Sequence, residues 1–253
     1  GMGVAGAAVA AVIAEFVGLA VGLAIARRLL GGRLGVPRAM LFDRAKLVRM
    51  MAVNRDIMLR TAALVGVFLF FTARGARAGD VTLAANAVLG NFILIGSFFL
   101  DGLANAAEQL CGRSVGARDR AGFARAARLV LGWGFASALA TTAAFALFGT
   151  ILIDLTTTSD DVRLVAREVM WLAALAPVCG VMAYAYDGVY IGATWARDMR
   201  NLMVAAFLIF FGAWAALLPF GNTGLWGALL IFFIARGVLQ AVRYPNLMRT
   251  SFA

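Results

Sequence analysis

Seven apolar runs, separated by arginines, glycines and turn residues, organise this chain of 253 residues. A helix needs about 20 apolar residues to cross a hydrocarbon core of about 30 Å. The pattern predicts membrane spans at Gly3–Ile25, Ile57–Ala73, Val81–Cys111, Ala124–Ile153, Leu164–Ile191, Met199–Leu218 and Gly224–Val242. Between the last two, Pro219-Phe220-Gly221-Asn222 reads as a tight turn. Pro177 falls inside the fifth span, where it removes a backbone hydrogen bond, so a kink is expected there.

The longest polar stretch, Arg27–Arg60, lies between the first two runs and carries nine cations against Asp43 and Asp56. Leu41, Phe42, Ala45, Leu47, Val48, Met50 and Met51 alternate with those charges. Two readings fit: an amphipathic helix in the membrane interface, or a basic solvated loop. Either belongs in the cytoplasm, because cytoplasmic loops collect Lys and Arg. Alternation from there puts eighteen cations inside and four outside (Arg74, Arg77, Arg163 and Arg167), with Arg236 within the last span. The expected topology starts outside and ends in the cytoplasm. A first span entering from outside implies a preceding helix upstream of Gly1. That span is not a signal peptide, since no basic region precedes it.

Composition agrees with this reading. The chain is 63% hydrophobic and 14% charged, where soluble domains are roughly 45–50% apolar and about 25% charged. It is an all-α, multi-pass membrane protein whose first partner is the lipid bilayer. The net charge of +10 does not indicate nucleic acid, because the cations fall in the gaps between spans. There is no His, so histidine-based metal or proton sites are excluded. Cys111 and Cys179 lie in or beside apolar runs and read as buried thiols. With no metal-ligand cluster and no nucleophile elbow, neither an enzyme nor a cofactor is expected.

Candidate chemistry rests on ionisable groups at membrane depth, which are costly and therefore functional by default. The third span carries Asp101, Asn105 and Glu108, spaced to share one helix face, and Asn86 falls within about 60° of Asp101 on the helical wheel. Such a stripe must face a partner helix or a cavity. Asp101 sits about 10 Å deeper than Glu108, so Glu108 has a second reading, snorkelling at the inner interface or pairing with Arg113. The fifth span holds a similar feature at different spacings, Tyr186-Asp187-Gly188, then Tyr190, Gly192 and Arg197-Asp198, which fits either an internal-repeat echo or chance in a Gly/Ala-rich chain. Asp187 matches Asp101 in approximate depth, while Gly188 and Gly192 suit close helix packing. Glu15 on the first span either turns into a bundle interior or takes part in transport.

Three stretches then become specific. FFLDGLANAAEQLCGRSVGARDR resembles the third helix of the second lobe of multidrug and toxic compound extrusion (MATE) transporters, in their DinF-like branch. YDGVYIGATWARDMRN is similar to a later segment of that branch, and GMGVAGAAVAAVIAEFVGLAVGL to the last helix of the first lobe. The resemblance implies two six-helix lobes around a central cavity. Residues 1–28 would be the last helix of the first lobe, 29–56 the cytoplasmic linker and 57–253 the second lobe. The missing first lobe is then a partner, from the same gene or a separate chain.

The implied activity is secondary antiport at the inner (plasma) membrane. Organic cations or amphipathic drugs leave in exchange for H+ or Na+, with linker and C-terminus cytoplasmic. The cavity acids of this lobe would be Asp101 and Asp187, with Phe92, Phe98, Phe99, Tyr184, Tyr186 and Tyr190 as aromatic surface for a cation. Two departures matter. The family's proton-linked aspartate belongs to a helix absent from this sequence. Its sodium-binding acid has no clear match, because Ile57–Ala73 holds no acid and Asp56 lies at its edge. No complete coupling site transfers. An inactive truncated half and a seven-helix ligand receptor are the alternatives. The only Lys is Lys46, outside the spans, which removes a retinal photoreceptor.

Overall fold

The computed structural model describes residues 3–29, 31 and 42–252. Seven long helices follow in order: α1 (Gly3–Leu29), α2 (Arg44–Arg77), α3 (Asp80–Gly116), α4 (Arg120–Thr156), α5 (Asp160–Gly192), α6 (Ala196–Ala216) and α7 (Gly221–Ser251). A 3-10 turn, Leu218–Phe220, leads into α7. All seven are long and apolar enough to cross a membrane, as the hydrophobic pattern requires.

Contacts divide the chain into two units, residues 1–51 and 52–253. In the first, α1 buries none of its apolar window. Val12, Ile13, Phe16, Val17 and Leu19 are all exposed, so its apolar surface runs round the whole cylinder. A helix of that kind is suited to lipid. Its last turn carries Arg27 and Arg28, cations where the helix dipole favours them. Asp43 caps α2 by accepting from the backbone N–H of Ala45 at 3.0 Å.

In the basic segment, Arg44–Arg60 is helical, the helix of the two readings rather than the loop, and it runs on unbroken as the first half of α2 to Arg77. No proline interrupts it, and Arg, Lys, Leu, Met and Ala all favour helix. The remainder of the expected amphipathic stretch and linker, residues 30 and 32–41, lies outside the described residues.

In the second unit the helices alternate in direction, joined by turns of two to four residues. α5 is the close-packed centre, with α3 and α7 against it, and glycines make the closeness possible. A Cβ on Gly188 would sit 2.1 Å from the Ala104 carbonyl oxygen, and one on Gly192 would sit 2.5 Å from that of Glu108. α3 and α5 therefore touch backbone to backbone. Gly237 of α7 meets α5 in the same way, with Met182 Cβ 2.5 Å from the position a side chain would take. α5 runs through Pro177 as one helix, and the ring packs against Gly96 of α3. The Pro219 turn is observed, with Gly221 at φ 56 and Asn222 already inside α7.

α2 packs differently. Its contacts are large side chains: Phe70 sits edge-on to Phe210, Phe211 and Trp214, and Phe71 edge-on to Trp226. Bulky spacers hold its backbone away from the centre. The space this leaves is the site described next.

Candidate functional site

A cavity of about 560 Å³ lies within the second unit, walled by α2, α3, α5 and α7. Its upper wall is apolar, with Phe68, Phe71, Leu83, Ile93 and Leu229. Polar groups gather at two levels along α3. Asn86 marks one and Asp101 the other, fifteen residues on, which is about 22 Å along a helix.

At the Asn86 level three side chains satisfy one another. Asn86 Nδ2 donates to Asn222 Oδ1 at 2.9 Å, and Asn222 Nδ2 donates back to Asn86 Oδ1 at 3.0 Å. Trp226 Nε1 donates to the same Asn86 oxygen at 2.9 Å. An amide buried to 5% exposure needs such partners.

At the other level sit four charges. Asp187, 7% exposed, accepts from three donors. Arg236 Nη2 donates to Oδ2 at 2.7 Å and Gln240 Nε2 to Oδ1 at 2.8 Å. Arg60 of α2 pairs with Oδ2 as well. One carboxylate thus joins α5 to α7 and α2, and each buried arginine finds a counter-ion, without which it would be costly at this depth. Asp101 lines the same cavity. Among the described residues no cation lies within salt-bridge distance of it. Tyr184 and Ser97 complete the lining here, their hydroxyls 2.6 Å apart.

The structure brings together Asp101, Asp187, Asn86 and Tyr184 from the sequence-derived candidates and leaves others outside. Tyr190 is fully buried and donates from its hydroxyl to the Gln240 carbonyl at 2.8 Å. Tyr186 packs beside it in a second core with Phe123, Val189 and Met199. Both are packing residues: one step along the helix turns Tyr186 from the face of Asp187, and Tyr190, almost a turn beyond Asp187, is held in the second core. Asn105 is exposed, and Glu108 is half-buried against Gly192 through its backbone; neither lines the cavity. Phe92 packs on Phe145, while Phe98 and Phe99 point outward, 66% and 59% exposed. Glu15 lies on the exposed surface of α1 in the first unit.

Sequence reasoning missed Arg60, Arg236 and Gln240. Arg236 carried its own signal, a cation inside an apolar run that must find an anion. Arg60 closes the basic segment in sequence, which masks that it falls three residues inside the second span. Asp56 also proves structural: it is 6% exposed and accepts from Arg200 Nη1 at 2.5 Å, tying α2 to α6.

Comparison with known proteins now bears on this arrangement. Residues 57–213 match the MatE family. The chain belongs to that family. It is 38% identical over 243 residues to DNA damage-inducible protein F of Escherichia coli (strain K12), which places it on the DinF-like side of the MatE family. That alignment covers 95% of this chain and 52% of the relative, so the chain spans about half the length of the curated protein it matches. The crystal structure of the Vibrio cholerae MATE transporter VcmN in the bent form superposes with a TM-score of 0.86 at 19% identity. It covers 99% of this chain and 57% of VcmN. At that identity the likeness speaks for the fold alone, and it agrees with the helical bundle described above. The MatE match begins at residue 57, inside α2 and close to the contact boundary between the two units.

Proposed function

We propose that the intact protein is an ion-coupled exporter of amphipathic organic compounds, cations among them, with this chain supplying the second lobe and the helix that precedes it. The observation that carries this reading is the cavity, large enough for a drug-sized molecule, with the Asp101 carboxylate on its wall, which makes no salt bridge among the described residues. H+ is the coupling ion this site suits, with Na+ the alternative. The protein would lie in the inner (plasma) membrane with the start of α2 and the C-terminus in the cytoplasm, and it carries out transport rather than covalent chemistry.

Charge balance gives the mechanism. Arg60, Arg236, Asp187 and ionised Asp101 sum to zero. A proton on Asp101 leaves the floor with one excess positive charge, which opposes a bound cation. Loss of that proton restores an anion for the cation to meet. Proton and cation therefore exclude one another at Asp101, the condition for exchange. Asp187 is not equivalent to Asp101, because it is committed to three donors.

The test is Asp101→Asn in the full-length protein reconstituted into liposomes. Substrate-stimulated proton release should disappear while substrate still binds. Release at the wild-type rate would take Asp101 out of the coupling step.

A further inference from the structure

The hairpin between α3 and α4 carries positive charge that its neighbours leave unanswered. Arg113, Arg118, Arg120, Arg125 and Arg128 are exposed, and among the described residues none of them makes a salt bridge. Asp119 is the one acid in that stretch, and its carboxylate accepts from the backbone N–H of Gly122 at 2.8 Å. At the same end of the bundle, by contrast, Arg200 holds Asp56 and Arg243 holds Asp198.

α4 sets two of the free arginines directly above an apolar surface. Its buried face runs through Phe123, Val130 and Gly134. Arg125, Arg128, Gly132 and Leu139 lie on the opposite, exposed face, within about 60° of one another at 100° per residue. A side chain at Gly132 would meet nothing within 4 Å, so a shallow slot opens below the arginines, flanked by exposed Leu129 and Phe135. From Leu129 to Ile153 the helix carries no charge. That run is about 37 Å long, enough to cover a hydrocarbon core of about 30 Å, which puts Arg125 and Arg128 at headgroup level. α4 packs on α3 and α5 and contributes no residue to the cavity, so this face is separate from the site described above.

We propose that Arg125, Arg128 and the Gly132 slot bind one anionic phospholipid, its phosphate on the two guanidiniums and an acyl chain along Gly132 and Leu139. Guanidiniums take phosphate in bidentate pairs. Each basic residue at an anionic lipid surface strengthens binding by roughly fivefold. Arg113, Arg118 and Arg120 add to the local positive potential. The continuity of cations and apolar surface on one helix face selects a lipid over a soluble polyanion, which has no use for the slot.

The probes are phosphatidylglycerol and phosphatidylcholine with the same palmitoyl and oleoyl chains. Each is titrated into the full-length protein, stripped of lipid in detergent, and bound lipids are counted by native mass spectrometry. The first phosphatidylglycerol should bind at least tenfold tighter than the first phosphatidylcholine. Arg125→Gln with Arg128→Gln should abolish that preference. Arg77→Gln with Arg197→Gln removes the same charge from exposed positions elsewhere and should leave it intact. Gly132→Leu should weaken the first phosphatidylglycerol by filling the slot, with no loss of thermal midpoint, since leucine favours helix over glycine. Equal affinity for the two lipids in wild type overturns the site. So does a preference that survives Arg125→Gln with Arg128→Gln, or one that falls equally in the control pair, which would mark net charge alone. Unchanged binding in Gly132→Leu removes the slot and with it the proposal. Glycerophosphoglycerol, the same headgroup without chains, should bind far more weakly; binding as tight as the lipid would make this a surface for soluble anions instead.

Discussion

The two aspartates of the site separate at the level of single residues. Asp187 is a structural anion: its removal leaves Arg60 and Arg236 buried together without the carboxylate both depend on. Breaking a buried pair at one partner costs about 3–5 kcal/mol, chiefly because it leaves uncompensated charge. Asp187→Asn should therefore lower the thermal unfolding midpoint in detergent steeply. Asp101→Asn, which severs no ion pair, should leave the midpoint within a degree or two of wild type. Equal losses from both substitutions would mean that Asp101 is also held by a partner. Intramembrane depth marked both residues as candidates, and one helix's periodicity carries no information on which acid finds a guanidinium on another. That depends on α2, α5 and α7 meeting, a long-range fact. Arg236 was visible as a misfit in its apolar run, but its partner was not.

Helices were the most legible elements. Seven windows of apolar residues correspond to seven helices. Their ends were not legible, because the hydrophobic criterion stops where the charge begins while the backbone does not. α3 continues past Cys111 through Arg113 to Gly116, and α7 continues past Val242 through Pro245 to Ser251. At 37 residues α3 has a length of about 55 Å, well beyond the hydrocarbon core. The same rule that truncated the ends hid the continuity of Arg44–Arg60, readable as a helix in its own right, with the span that follows it. Glycine roles were partly readable: Gly188 and Gly192 were expected to permit close packing, and they do. Gly102, in the same Asp-Gly dipeptide pattern, does not, since a Cβ there meets nothing within 4 Å. Gly188→Ala should then destabilise by about 3 kcal/mol, the upper end of the usual overpacking range, because the atoms it meets are backbone that cannot yield. Gly102→Ala should be neutral or stabilising by about 0.5–1 kcal/mol, from helix propensity alone. Paired thermal unfolding measurements on the two variants decide it, and similar losses would show that the α3–α5 contact is looser than the backbone approach requires.

At the scale of the whole molecule, orientation follows from which cations remain uncompensated rather than from how many there are. At one end of the second unit, Arg163 and Arg167 are bound to Asp154, Arg163 also to Asp160, and Arg74 stacks 5.0 Å over Trp214, while Arg77 is exposed and among the described residues makes no salt bridge. At the other end Arg113, Arg118, Arg120, Arg125 and Arg128 are exposed, and among the described residues none of them makes a salt bridge. Free cations are the ones that resist crossing the membrane, so local pairing sharpens the asymmetry already present in the residue count. The turn at Arg118, in left-handed backbone at φ 53, and the turn at Thr194, at φ 58, lie at that second end. Ser159, between α4 and α5, lies at the first. Single cysteines at Arg118, Thr194 and Ser159, introduced with Cys111→Ala and Cys179→Ala, test the assignment. A membrane-impermeant maleimide should label Ser159→Cys in intact cells, and Arg118→Cys and Thr194→Cys only after the membrane is opened. The reverse pattern would invert the orientation and place the start of α2 outside. Labelling of all three in intact cells would mean that the helices do not alternate across the bilayer at all.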